Sequence, residues 1–108
     1  MDNIVFEISD KTRRKIKLTG KQWKHIQKHP HMHESLERIE ETIKNPMTVR
    51  HDGAGKKISY FYREYKNMEP RERYLFVSVK YLNGDGFIIT SFYTNKITGS
   101  NEKHEHIL

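Results

Sequence analysis

The chain has 108 residues, with 20 Lys plus Arg against 14 Asp plus Glu, 7 His, no Cys and a formal net charge of +6. That length holds one domain and leaves no room for a second independent core. Without Cys there is no disulfide scaffold, thiolate nucleophile or cysteine-rich zinc site, and no apolar run nears the roughly 18 residues of a membrane span.

In chain order, Asn3 to Ser9 places Ile4, Phe6 and Ile8 on one side, the alternation of a strand. Asp10-Lys11-Thr12 reads as a turn, and Arg13 to Leu18 as a second strand with Ile16 and Leu18 in phase. Thr19 has the chemistry of an N-cap for a helix over Lys21 to Lys28, which stops before Pro30. Trp23 and Ile26 form its narrow apolar stripe, and its other faces are basic. Leu36, Ile39 and Ile43 recur at helical spacing and predict a second helix from Glu34 to Lys44, ended by Asn45-Pro46. A short strand, Thr48 to His51, and a turn at Asp52-Gly53-Ala54-Gly55 follow. Three strands then run from Lys57 to Tyr65, Tyr74 to Leu82 and Phe87 to Thr94, the last two joined by the hairpin signal Asn83-Gly84-Asp85-Gly86. The expectation is an α+β domain over residues 1–97, with two N-terminal helices packed on one face of a mostly antiparallel sheet of four to five strands. Residues 98–108 read as a polar tail.

Strand periodicity sorts side chains by face. Leu75, Val77 and Val79 oppose Tyr74, Phe76, Ser78 and Lys80. Ile88, Thr90, Phe92 and Thr94 oppose Phe87, Ile89, Ser91 and Tyr93. Ser59, Phe61, Arg63 and Tyr65 oppose Ile58, Tyr60 and Tyr62. A sheet whose helices cover one face leaves the other open, and an open, basic, aromatic-lined face is a natural floor for RNA.

Charge supports that partner. Residues 1–31 hold 8 basic and 3 acidic residues, and 46–80 hold 8 and 4, whereas 34–45 hold 2 and 4. Two basic blocks in a chain of pI near 9.6 favour a polyanion, with nucleic acid the expected one; the alternative is a solvated basic surface with no partner.

The histidines supply the candidate chemistry. His25 and His29 stand at i, i+4 and project from one side of the first helix, and imidazole suits proton transfer near neutral pH. Lys24 and Lys28 lie beside them as RNA-binding candidates. The plainer alternative is that His29-Pro30 only ends the helix. A metal is not expected: the zinc-protease HExxH pattern needs Glu where Ile26 stands, and no Cys completes a ligand set. Arg63 and Lys80 sit within aromatic-rich strands, where a charge must reach water or an anion. RNA cleavage without metal or cofactor needs a base for the 2′-hydroxyl, an acid for the leaving oxygen and cations for the phosphoryl charge. His25, His29, Arg63 and Lys80 supply those groups.

The stretches LTGKQWKHIQKHP at 18–30, a helix ending near NP at 45–46, RYLFVSVKYL at 73–82 and GFIITSFYTNKI at 86–97 occur in the order seen in the barnase–EndoU–colicin–RelE-like small nucleases. The chain resembles their phage and mobile-element branch. The resemblance implies helices on a four-stranded antiparallel sheet and metal-independent RNA cleavage. It implies site positions at His25, His29 and Lys80, with Arg63 matched by strand position and a polar group drawn from Thr90, Ser91, Tyr93 and Thr94. On this reading Ser91 and Tyr93 position the substrate, while Thr90 and Thr94 contact RNA.

The first expectation is therefore a ribonuclease of toxin or phage-associated effector type, with RNA as substrate and a neutralising antitoxin or immunity protein as partner. A non-catalytic RNA-binding module and a protein-interaction domain are the alternatives. MDNIVFEISDKTRRK lacks the basic-then-apolar order of a signal peptide, so the expected setting is the cytoplasm, without membrane contact.

Overall fold

The computed structural model describes residues 3–53 and 57–99. The domain is α+β, but its sheet has six strands rather than four or five, and it is mixed. The strands are β1 (Ile4–Ser9), β2 (Lys15–Thr19), β3 (Thr48–His51), β4 (Ile58–Glu64), β5 (Tyr74–Leu82) and β6 (Asp85–Thr94). The helices are α1 (Gly20–Ile26) and α2 (Leu36–Lys44), the second preceded by a 3-10 turn at Met32–Glu34. Strand order is β1-β2-β6-β5-β4-β3. Every pair is antiparallel except β2–β6, which are parallel and share only Ile16–Gly86 and Lys17–Phe87. The N-terminal hairpin thus joins the far side of the sheet, a long-range pairing that no local pattern announces.

Local chemistry explains the boundaries. Thr19 is extended, and its hydroxyl accepts from the Gln22 N–H, the N-cap that opens α1. The β5–β6 turn is Asn83-Gly84, with φ of 54° and 87°, which is the left-handed pair that a two-residue hairpin requires. The expected turn at Asp52-Gly53-Ala54-Gly55 is described only to Gly53.

The helices do not lie side by side on one face, as expected. Ile39 and Ile43 of α2 press on the face of β4 and β5, closing a core with Phe61, Leu75, Val77, Val79 and Ile88. α1 lies along the margin of β6, where β2 has already diverged. There the Gln22 side-chain amide donates to the Ile89 carbonyl, and Ile26 is fully buried in the same core. α1 therefore shields the strand margin that the two-residue β2 contact leaves uncovered, a way of protecting an edge.

A bulge corrects one face assignment. Ser78 pairs with Thr90 but Val79 with Ile88, so Ile89 is the extra residue. Ile88 accordingly joins the core side, and Phe87 shares the outer side with Thr90 and Phe92. Nearby, a Cβ on Gly86 would stand 2.9 Å from Val79 Cγ1 and 3.0 Å from both Ile16 Cγ1 and Tyr81 Cε1. Gly86→Ala is therefore expected to cost about 1–3 kcal/mol through overpacking, read as a lower urea midpoint at unchanged slope.

The first residues of the expected tail are held against the sheet. Tyr62 Oη accepts from the Thr98 N–H at 3.0 Å and lies 3.1 Å from Thr98 Oγ1, while Gly99 sits against Tyr60, Arg50 and the His51 carbonyl. Residues 100–108 lie outside the described residues. Among the described residues, no helix is long and apolar enough to cross a membrane.

Candidate nucleic-acid interface

The face of the sheet opposite α2 carries a row of rings. Register places Tyr62, Phe76 and Phe92 opposite one another across β4, β5 and β6. Their centroids are 5.3 Å apart for Tyr62–Phe76 and 4.8 Å for Phe76–Phe92, with Tyr60 5.3 Å from Phe76. All are tilted pairs, within the range where edge and face attract.

His29 extends this row. Its ring centroid lies 5.4 Å from that of Phe92, and the His25 ring meets it edge-on at 6.2 Å. The placement follows from the track of α1 along β6. Gln22 is fastened at Ile89 and His29 rests at Phe92. α1 ends at Ile26, and the turn that follows carries His29 on to Phe92. Both imidazoles therefore stand at the margin of the ringed face.

Lys80 belongs to the same face and is exposed, paired in register with Ile58 and Phe87. It lies two residues beyond Ser78, the partner of Thr90, which is about 7 Å along the strand. From Phe76, the partner of Phe92, it is four residues away, about 13 Å. Lys80 is thus well removed along the sheet from the Phe92 position where His29 rests. Thr90 and Thr94 share the face, opposite Ser78 and Tyr74. Lys24 and Lys28 are exposed, on α1 and the turn after it.

Three expected site residues lie on the other side of the sheet. Arg63 donates to the Asn45 carbonyl at 2.7 Å and pairs with Glu41 at 3.4 Å, tying β4 to the end of α2. Ser91 is fully buried and donates to the Phe76 carbonyl. Tyr93 Oη lies 2.6 Å from Ser35 Oγ and accepts from Arg38 at 3.3 Å. The sheet separates these side chains from the imidazoles and Lys80, and the contacts they make are structural ones.

Compared with known proteins, the chain matches no family model, and no curated protein or solved structure is similar to it at a significant level.

The sequence reading missed three features. Tyr60 and Tyr62 belong to the ring row and were legible from strand phase, but nothing local marks which face is open. Lys96 stands where the chain leaves β6 beside the row; with Tyr62, Phe76, Phe92, Thr94 and Thr98 it lines a cavity of about 190 Å³. Asp10, read as a turn residue, is a buried carboxylate. It accepts from the Thr12 N–H and hydroxyl, the Arg14 N–H and the Tyr81 hydroxyl. A cavity of about 350 Å³ lies beside Asp10 on the α2 side, with Ile43, Val49 and Phe61 in its lining. None of the expected site residues lines it. Among the described residues, no group of three or more His, Cys, Asp or Glu is arranged to hold a metal ion.

Proposed function

We propose that the ringed face binds single-stranded RNA and that His25 and His29 cleave it without a metal. The observation that carries the reading is the packing of His29 on Phe92, which brings an imidazole pair beside a partly exposed ring, with Tyr60 partly exposed further along the same face and Tyr62 and Phe76 buried beneath as support. In the proposed reaction one imidazole takes the 2′-hydroxyl proton as that oxygen attacks phosphorus. The other protonates the 5′-oxygen as the P–O5′ bond breaks, leaving a 2′,3′-cyclic phosphate and a free 5′-hydroxyl. Each imidazole must reach its oxygen to about 2.6–3.2 Å, and rings 6.2 Å apart can bracket one phosphodiester. Lys80, Lys24 and Lys28 supply positive charge along the backbone path. Arg63, Ser91 and Tyr93 have no part in this site.

The barnase–EndoU–colicin–RelE-like resemblance supports the same chemistry, and with it the setting of a cytoplasmic toxin or phage-associated effector held in check by a neutralising protein. The test is incubation with transfer RNA in EDTA. Products ending in cyclic phosphate, absent with the His25→Ala/His29→Ala variant, are expected; equal cleavage by both proteins rejects the reading. A non-catalytic RNA-binding role would use the partly exposed rings of Tyr60 and Phe92 and the exposed lysines whatever the imidazoles do, and it predicts binding without product. In either case Lys80→Ala is expected to lower the salt slope of binding to single-stranded RNA by about 0.7, one released counterion, measured by fluorescence anisotropy across a salt series.

A further inference from the structure

We propose that the cavity between the ring row and the segment leaving β6 is a subsite for one unpaired nucleotide, an inference that rests on the RNA-binding reading above. Thr94 ends β6 and its hydroxyl accepts from the Lys96 N–H at 3.2 Å, which turns the chain across the face. Two residues on, Thr98 is fastened to Tyr62 on β4 by two hydrogen bonds. The segment therefore bridges from β6 over β5 to β4, and Phe76 lies between the two anchors with Tyr62 and Phe92 on either side.

The enclosed space of about 190 Å³ is smaller than the roughly 300–1,000 Å³ of pockets that engulf a whole drug-sized ligand. Its chemistry has three parts. The partly exposed ring of Phe92 offers a π-face to a flat heterocycle, over a floor made by the largely buried Phe76 and Tyr62. The hydroxyls of Thr94 and Thr98 offer hydrogen bonds to a polar ring edge. Lys96, exposed at the rim, offers a cation. A flat polar ring joined to an anion is a nucleotide, and a fatty or plain aromatic ligand would leave unused the ammonium and the hydrogen-bonding capacity that the two hydroxyls retain beyond their bonds to Lys96 and Tyr62. His29 rests on Phe92 as well, so a base held in this cavity is one ring away from the imidazole pair. Base recognition and proton transfer then fall on neighbouring nucleotides of one strand.

The experiment titrates the full chain with 5′-UMP, and separately with ribose 5-phosphate, while following the ring signals of Tyr62, Phe76 and Phe92 and the methyl signals of Thr94 and Thr98 by NMR. UMP is expected to move these signals and ribose 5-phosphate to leave them in place. Lys96→Ala, at an exposed position that keeps the fold, is expected to weaken UMP about tenfold without changing uridine binding. Equal responses to the two probes, or UMP shifts confined to other residues, overturn the subsite. A uridine oligonucleotide added to the same sample separates the two ideas. If it binds without moving Phe92 or Thr94, the subsite fails and the RNA-binding face stands; if it does not bind at all, both fail.

Discussion

His29→Ala is expected to lower the single-turnover rate of RNA cleavage by about 10²–10⁴-fold, the usual contribution of a positioned acid or base. RNA affinity should fall far less, because the partly exposed Tyr60 and Phe92 rings and the exposed Lys24, Lys28 and Lys80 remain. The control is Arg63→Ala, a cation that strand position alone ranks beside His29. Arg63 braces α2 from the other side of the sheet through Asn45 and Glu41. Its loss should therefore lower the urea midpoint and leave the cleavage rate of the folded protein unchanged. Cleavage at the wild-type rate by His29→Ala, with RNA still bound, would show that this imidazole is neither acid nor base. Cleavage lost in Arg63→Ala at full folding would mean that the reacting phosphate lies on the α2 side.

Asp10→Ala is expected to produce the largest loss of stability, about 3 kcal/mol. Its side chain is only 3% exposed, and each buried donor left without an acceptor costs about 1–3 kcal/mol. The Tyr81 hydroxyl and the Thr12 and Arg14 N–H groups would all lose the same partner. The Arg14 guanidinium, stacked 3.7 Å over the Tyr81 ring and 3.5 Å from the carboxylate, would lose its counter-charge as well. Tyr81→Phe should cost less, and the double variant less than the sum of the two, since both changes break one bond. Urea titrations of the three proteins measure this.

The same pair sets a pH dependence. Burial pushes the Asp10 carboxyl up, but hydrogen bonds from Thr12, Tyr81 and Arg14 outweigh it and hold the group below its ordinary 3.8. Its contribution is therefore complete above pH 3.8 and lost as pH falls through the lower folded value. Burial, and then the bond to Asp10, push the Tyr81 phenol above its ordinary 10.0. Tyr65, buried and bonded to Glu41, is pushed up to about 12. Both phenols are neutral in the fold, so their contributions are complete below pH 10 and lost as pH rises through the folded values. Stability measured across pH should be flat between these limits as far as these groups decide it, with Asp10→Ala removing much of the acid-side fall.

The elements themselves were readable because each obeys a local rule: alternation in the strands, Thr19 before α1, Asn83-Gly84 between β5 and β6. The face assignments failed where a rule of period two met an interruption. Ile89 adds one residue to β6, so Ile88 and Phe92, in phase by counting, point to opposite sides. Arg63, Ser91 and Tyr93 were chosen for their chemistry, but polar side chains also fasten elements together, and strand phase does not say which face a helix will cover. The imidazole pair was legible from its four-residue spacing, although α1 ends at Ile26 and His29 lies in the turn beyond it rather than on the helix. Its proximity to Phe92 was not, because it depends on α1 running beside a strand some sixty residues further along.

The two-residue contact between β2 and β6 has a consequence for how the polypeptide matures. Ile16 and Leu18, fully enclosed in the finished protein, emerge early from the ribosome, yet the strand they must adjoin is made last among the six. Through most of synthesis they have only the β1 side of their own hairpin to settle against, and closure awaits a connection spanning much of the chain, the kind of long-range step that slows folding and leaves greasy surface open to aggregation.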